Sequence, residues 1–250
     1  MAFEENMWQE WAAFFASRRG RALPGLEPDF DYQSLPASLA RSLAIFQLGE
    51  SGGGTVTRQA RNSRLPHLDR HYGEAVDLFV SEEHRHADIL ATCVRLLGGK
   101  LIRSNWTARL FVFGRRLIGL RLKMLVLLAA EVVGLVYYEL LAAKLPRCSL
   151  RDRLLEIAED ERAHLYFHCD FLRTQTPGRM QRLIFKLVWR SVIGAASYVV
   201  ALDHRHTIRD LEIGTETVLL RWKNFARLAE TLVLAESEED RAAMTLKAFL

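Results

Sequence analysis

The chain has 250 residues, 50% of them hydrophobic and 26% charged, with 15 Gly, 6 Pro and a formal net charge of +4. That balance excludes a disordered, collagen-like or disulfide-stapled chain and leaves one sizeable domain or two small ones. Cys93, Cys148 and Cys169 include no Cys-x-x-Cys pair, so neither a zinc ribbon nor a rubredoxin-type iron site can be built.

Reduced thiols in a cytoplasm are the simplest expectation for these cysteines. The opening Met1-Ala-Phe-Glu-Glu is acidic and has no basic region followed by an apolar stretch, so export is not expected. Apolar residues recur with a period near 3.6 and alternating strand patterns are nearly absent, which predicts an all-α fold. An amphipathic N-terminal helix is expected over about Glu4 to Arg19, followed by a Pro-containing arm through Pro24 and Pro28.

Four core helices follow. The first is expected from about Pro36 to Arg61, and the second from Leu68 to Leu97 with a glycine stop at Gly98-Gly99. A basic, aromatic connector helix is expected over Asn105 to Leu120. The third core helix covers Leu120 to Leu145 before Pro146, and Ser149 is expected to cap the fourth, which runs to about Arg173. Further helices are expected over Arg179 to Leu202 and Thr207 to Leu234, then an acidic turn from Glu236 to Asp240. The chain thus reads as a single domain, 1–250, with an N-terminal helix and arm (1–35), a four-helix core (36–175) and a C-terminal helical extension (176–250).

The longest apolar stretch, Met124 to Ala143, is long enough to span a bilayer but carries Glu131 near its middle and Glu139 later. A carboxylate at membrane depth is costly, so a buried bundle helix is the better reading. Glu131 then needs a partner.

Glu83-His84-Arg85-His86 on the second helix and Glu161-Arg162-Ala163-His164 on the fourth repeat the same Glu-x-x-His spacing. Residues three apart share a helix face, so each helix aims one carboxylate and one imidazole the same way. Random placement at this composition gives about 0.6 such occurrences, so two at matching helix depths stand out. Glu131 lies amid Leu-Leu-Ala-Ala-Glu-Val-Val, and Glu50 lies in Phe-Gln-Leu-Gly-Glu. An ionised Glu in an apolar interior needs a cation or hydrogen-bond partners.

The order Glu50, Glu83/His86, Glu131, Glu161/His164 has a two-fold repetition, with 33 residues between the first two carboxylates and 30 between the last two. Two helix pairs packed as a bundle would converge four carboxylates and two imidazoles on the interior. So oxygen-rich a set suits iron or manganese better than zinc or copper.

On these six positions the chain, over about Pro36 to Arg173, resembles the ferritin-like di-iron carboxylate superfamily. The resemblance implies a ferritin-like four-helix bundle and two metal ions (iron, iron with manganese, or two manganese), with no organic cofactor. It also implies that Glu83 and Glu161 bridge the metals, and that Glu50 and Glu131 are terminal or bridging ligands. Glu82-Glu83-His84-Arg85-His86 is similar to the acidic-Glu-x-Arg-His motif of bacterial multicomponent monooxygenases, with Ala163 replacing the Arg on the fourth helix. By that similarity Glu82 and Asp160 orient the ligand imidazoles from outside. His168, four residues after His164, reads either as a third nitrogen ligand, reminiscent of di-iron arylamine N-oxygenases, or as a core histidine.

Around the ligands, Phe46 and Gln47 precede Glu50 by a turn, with Gln47 a further supporting residue. Phe79 precedes Glu83 and Leu90 follows His86, each by a turn, and Tyr138 lies two turns after Glu131. These side chains line either an apolar cavity or plain core. Gly53 and Gly54 either leave room for dioxygen and substrate beside Glu50 or mark an early helix end.

Basic and aromatic residues alternate in Arg103 to Lys123 and Arg179 to Arg190, which suits either peripheral contact with an anionic membrane or solvated faces of outer helices. No nucleic-acid-binding module is visible. His67, His71 and the His204-Arg205-His206 junction are expected at the surface.

The function these features imply is a di-iron oxidoreductase using O2 to hydroxylate or N-oxygenate a small, largely apolar substrate. With no flavin, nicotinamide or iron-sulfur motif, electrons would come from an external donor of the ferredoxin or flavin-reductase type. The alternative is an iron-oxidising, iron-binding or peroxide-reducing protein without an organic substrate. A monomer or homodimer in the cytoplasm is expected.

Overall fold

The computed structural model describes residues 6–22, 25, 27, 29–52, 54–107 and 119–236, and these are all-helical, with no strand among them. The helices are α1 (Met7–Arg18), α2 (Ala37–Glu50), α3 (Gly54–Arg61), α4 (Arg70–Leu96), α5 (Leu120–Lys144), α6 (Ser149–Thr174), α7 (Arg179–Asp203), α8 (Arg205–Asp210) and α9 (Thr215–Leu234), with a 3-10 turn over Tyr32–Ser34. Residues 1–5, 108–118 and 237–250, and with them most of the expected connector helix and the acidic turn, lie outside the described residues.

Two antiparallel pairs make the bundle, α2 against α4 and α5 against α6. Helix α1 lies along α4, while α7 and α9 pack on the α5–α6 side. The apolar α5 fills the middle: Leu128, Val132, Leu135, Val136 and Leu141 are fully buried. Both α5 and α7 are long and apolar enough to cross a membrane by length and composition. However, 83% of the apolar stretch of α5 is buried inside the bundle, against 28% for α7.

Several helix ends differ from expectation. The first core helix stops at Glu50 and resumes at Gly54, because Gly52-Gly53-Gly54 costs about 1 kcal/mol per residue relative to Ala in a helix. Glu50 is therefore the last residue of its helix. Ser149 does not cap α6. Cys148 occupies the cap position, and Asp29 from the arm accepts the Ser149 N–H at 2.7 Å.

The expected helix over Thr207 to Leu234 is divided at Glu212, whose φ of 52° places it in the left-handed region, with Gly214 two residues on. The glycine stop after α4 holds: Gly98 has φ 70°, and Gly99 N–H returns to the Val94 carbonyl at 2.8 Å.

His204 is buried, not exposed as expected from its junction position. Its Nδ1 lies 2.7 Å from Ser42 Oγ, which in turn lies 2.8 Å from Tyr137 Oη, and its ring packs on Phe46. His206 and His67 are exposed, and His71 is partly so.

Burial lowers the pKa of His204 from 6.5 to about 4. In the unfolded chain this imidazole takes a proton near pH 6.5, while in the folded chain it does not. The unfolded state thus binds more protons, and stability falls as pH drops from 6.5 toward 4, by about 3 kcal/mol. Urea unfolding across this range should show that loss, and His204→Gln should flatten it.

Candidate metal centre

Each core helix delivers its carboxylate for a local reason. On α4, Glu82, Glu83 and His86 are all buried, with Glu83 and His86 one turn apart. On α6 the same spacing buries Asp160, Glu161, His164 and His168. Glu131 projects from the middle of α5, and Glu50 ends α2.

Glu83, His86, Glu161 and His164 form one buried group whose ligand atoms all lie within 4.8 Å of one another. His164 Nδ1 is 3.0 Å from Glu83 Oε1 and 3.3 Å from Glu161 Oε2, and His86 Nδ1 is 3.2 Å from Glu161 Oε1. The Glu131 carboxylate approaches His164 Nδ1 at 3.9 Å and His168 Nε2 at 3.3 Å. Glu50 Oε1 accepts the Tyr138 hydroxyl at 3.0 Å.

The outer nitrogens are anchored crosswise. His86 Nε2, on α4, lies 3.2 Å from Asp160 of α6, and His164 Nε2, on α6, lies 3.0 Å from Glu82 of α4. A carboxylate on the outer nitrogen holds a proton there and turns Nδ1 inward, where loss of its own proton would free a lone pair for a cation. Glu82 and Asp160, the acidic residues preceding Glu83 and Glu161, thus each contact the imidazole of the opposite helix.

Arg18 of α1, which sequence reasoning missed, joins these two outer carboxylates. Its Nε lies 3.1 Å from Glu82, and its terminal nitrogen contacts Asp160. Arg21 and Arg85 also reach Asp160, at 3.1 and 3.5 Å. Nothing in the pattern around Arg18 separates it from a solvated helix end; only the docking of α1 on α4 buries it.

Lys123, also missed, is buried on α5 two turns before Glu131. It donates to Thr55 at 3.3 Å and, with Glu50 and Glu83, lines a cavity of about 30 Å³. Its one sequence signal is a second cation, two residues after Arg121, at the head of an apolar run.

Electrostatics follow from crowding acids in a dry interior. Burial first, and then neighbouring carboxylates, push Glu50 and Glu131 well above the ordinary carboxylate range. Burial also works against ionised Glu161, but the nearby Glu131, His164 and His86 outweigh it and hold Glu161 well below that range. For His164, burial opposes the charged form, yet Glu131, Glu161, Glu82 and Glu83 together raise it well above 6.5. Burial and then the charge of His164 lower His168 to about 3, so it stays neutral.

The donor set fits a metal. Glu83 Oε1, His86 Nδ1, Glu161 Oε1 and both His168 nitrogens are buried without a hydrogen-bond partner, although oppositely polar groups crowd each other at 3 to 4 Å. Inward-facing ring nitrogens and carboxylate oxygens at such spacing are what a cation between them would satisfy.

A cavity of about 120 Å³ opens onto Glu50, Glu83 and Glu131. Its walls include Phe46, Leu127, Ala130, Val133 and Val200, with Thr107 and His204 adding polar groups. Phe46 is a wall residue as expected, while Phe79 lines the smaller cavity and packs edge-on against His164 and His168 at 4.8 and 4.9 Å. Leu90 is fully buried in the core and lines neither cavity. Gln47 is half-buried, its carbonyl accepting the Ser51 N–H at 3.2 Å. Gly54 opens α3, and Gly53 lies outside the described residues.

Comparison of the chain with protein-family models, curated proteins and solved structures gives no match. The chain is therefore a helical bundle with a buried Glu/His group that could bind metal, compatible with a ferritin-like fold.

Arg18→Met should free Glu82 and, through it, His164, while Asp160 keeps Arg21 and Arg85. Removing such an outer support weakens metal binding about 10- to 100-fold, measurable by competition with a chelator, and Arg18→Lys should restore part of it.

Proposed function

We propose that this chain is a non-haem di-iron oxidoreductase: it binds two iron ions, or manganese in place of one or both, and uses O2 to hydroxylate or N-oxygenate a small, largely apolar substrate. The observation that carries the reading is the orientation of the imidazoles. Both Nδ1 atoms turn toward shared carboxylates while both Nε2 atoms are held by acids from the opposite helix.

In this reading His86 and His164 would hold the metals through nitrogen, and Glu83 and Glu161, which lie between them, through their carboxylate oxygens. Glu50 and Glu131 complete the set, and His168 beside Glu131 is a third nitrogen donor. Bound iron supplies the electron transfer and oxygen activation. Tyr138 donates to the Glu50 carboxylate at the end of α2 and would orient it toward the metals. Lys123 places a positive charge near the acids, and the apolar walls around Phe46 exclude water and accommodate an apolar substrate.

Electrons would come from a separate donor of the ferredoxin or flavin-reductase type. The rival reading is an iron-oxidising or peroxide-reducing protein without an organic substrate. The cavity that opens onto three of the four acids favours the oxygenase.

Anaerobic loading with ferrous iron followed by desalting should leave about two iron ions per chain, the number such a ligand set holds. Glu131→Ala and His164→Ala should each lose most of it. Near-zero iron in the unmodified protein overturns the metal assignment. Elution as a large many-subunit shell in size-exclusion chromatography would favour storage, whereas a monomer or dimer supports an enzyme.

A further inference from the structure

Helix α7 is apolar on two opposite faces, and only one of them is used inside the bundle. Phe185, Trp189, Ile193, Ala196 and Val200 recur at helical spacing and are buried. On the other side Met180, Ile184 and Leu187 near the start and Tyr198 and Leu202 near the end are exposed by 68, 52, 62, 70 and 42%, with the exposed Ser191 and Gly194 between the two groups. Ordinary surface helices place charge there. From Met180 to Leu202 this face extends for about 33 Å, and Leu219 and Leu220 of α9 are exposed as well.

The charge beside this face is positive. Between α7 and α9 runs an open groove of about 790 Å³ with Trp189 and Trp222 in its walls, bordered by Arg190, Arg205, Lys223 and Arg227. Its lining includes one acid, Glu230, which is held by Arg190 through two hydrogen bonds of 2.7 and 2.8 Å. Arg179 and Lys186 continue the basic flank along α7, and Glu236 is paired with Arg182 at 3.1 Å. The flank therefore keeps a cationic excess after its ion pairs are counted.

We propose that the α7–α9 face docks on an anionic lipid bilayer, with the exposed apolar side chains of α7 set into the acyl boundary and Lys223, Arg227 and Arg205 at the level of the phosphates. Complementarity of charge selects this occupant: a second copy would bring an equally basic rim against the first. The shape agrees, because Met180, Ile184 and Leu187 stand outside the groove while Tyr198 and Leu202 line it, and a fluid surface can close over both. An amphipathic helix with apolar residues on one side and Lys and Arg beside them is the usual form of such an anchor. This inference is independent of the metal centre.

Full-length protein should be sedimented with vesicles of phosphatidylglycerol and phosphatidylcholine in equal parts, and with vesicles of phosphatidylcholine alone. Pelleting with the first, little with the second, and release by raised salt are expected. Because these positions are exposed, Ile184→Glu with Leu187→Glu should abolish pelleting without changing the helical circular dichroism. Lys223→Gln with Arg227→Gln should weaken it about 30-fold. Equal pelleting with both vesicle types, or none with either, overturns the proposal. So does a dimer in sedimentation equilibrium that Leu187→Glu dissociates while vesicle binding is absent, or tight binding of an acidic amphipathic peptide with no vesicle binding.

Discussion

Four carboxylates brought together in the interior of a helical bundle impose the constraint on which the rest of this structure depends. Each ionised acid placed away from water costs several kcal/mol unless a positive charge or hydrogen bond meets it, and acids placed side by side add repulsion. Burial and mutual repulsion accordingly drive Glu50 and Glu131 toward their neutral forms, whereas Glu161 is held ionised by the Glu131 carboxyl and the two imidazoles beside it. Such a cluster is an unfavourable core by hydrophobic standards. A pair of metal cations would relieve it, and the orphaned inward atoms of Glu83, His86 and Glu161 mark where that relief would act.

Holding the imidazoles is the task of groups further out. The crosswise arrangement makes each ligand helix depend on the other: Asp160 of α6 positions His86, and Glu82 of α4 positions His164. Arg18 then ties both outer acids to α1, so the N-terminal helix completes a charge network instead of merely covering the bundle. Networks of this kind restrict the rotamers of the ligands, and a site whose ligands are already oriented loses less entropy on binding metal.

Helix α7 links the interior to the surface. Val200 on its buried side walls the larger cavity, while Tyr198 and Leu202 stand on its exposed side. Asp203 at the end of the same helix accepts hydrogen bonds from Asn105, Trp106 and Thr107, which positions Thr107 in the cavity wall.

The all-helical class, the extents of α4, α5 and α6, and the buried Glu-x-x-His pairs were legible in the chain itself, because helical periodicity and i, i+3 spacing are local properties. Glu82 and Asp160 stood out too, as acids directly preceding the Glu-x-x-His pairs. Folding decided what depends on distant neighbours. The α2–α3 break was ambiguous, since a glycine run fits either a tolerated helix interior or a stop. The left-handed Glu212 carries no residue signal, and the cap on Ser149 comes from Asp29 in the arm. Arg18, Lys123 and His204 each look ordinary in sequence. Their burial arises only where helices from remote segments meet, and the energy of a buried charge is set by those neighbours, not by the residue alone.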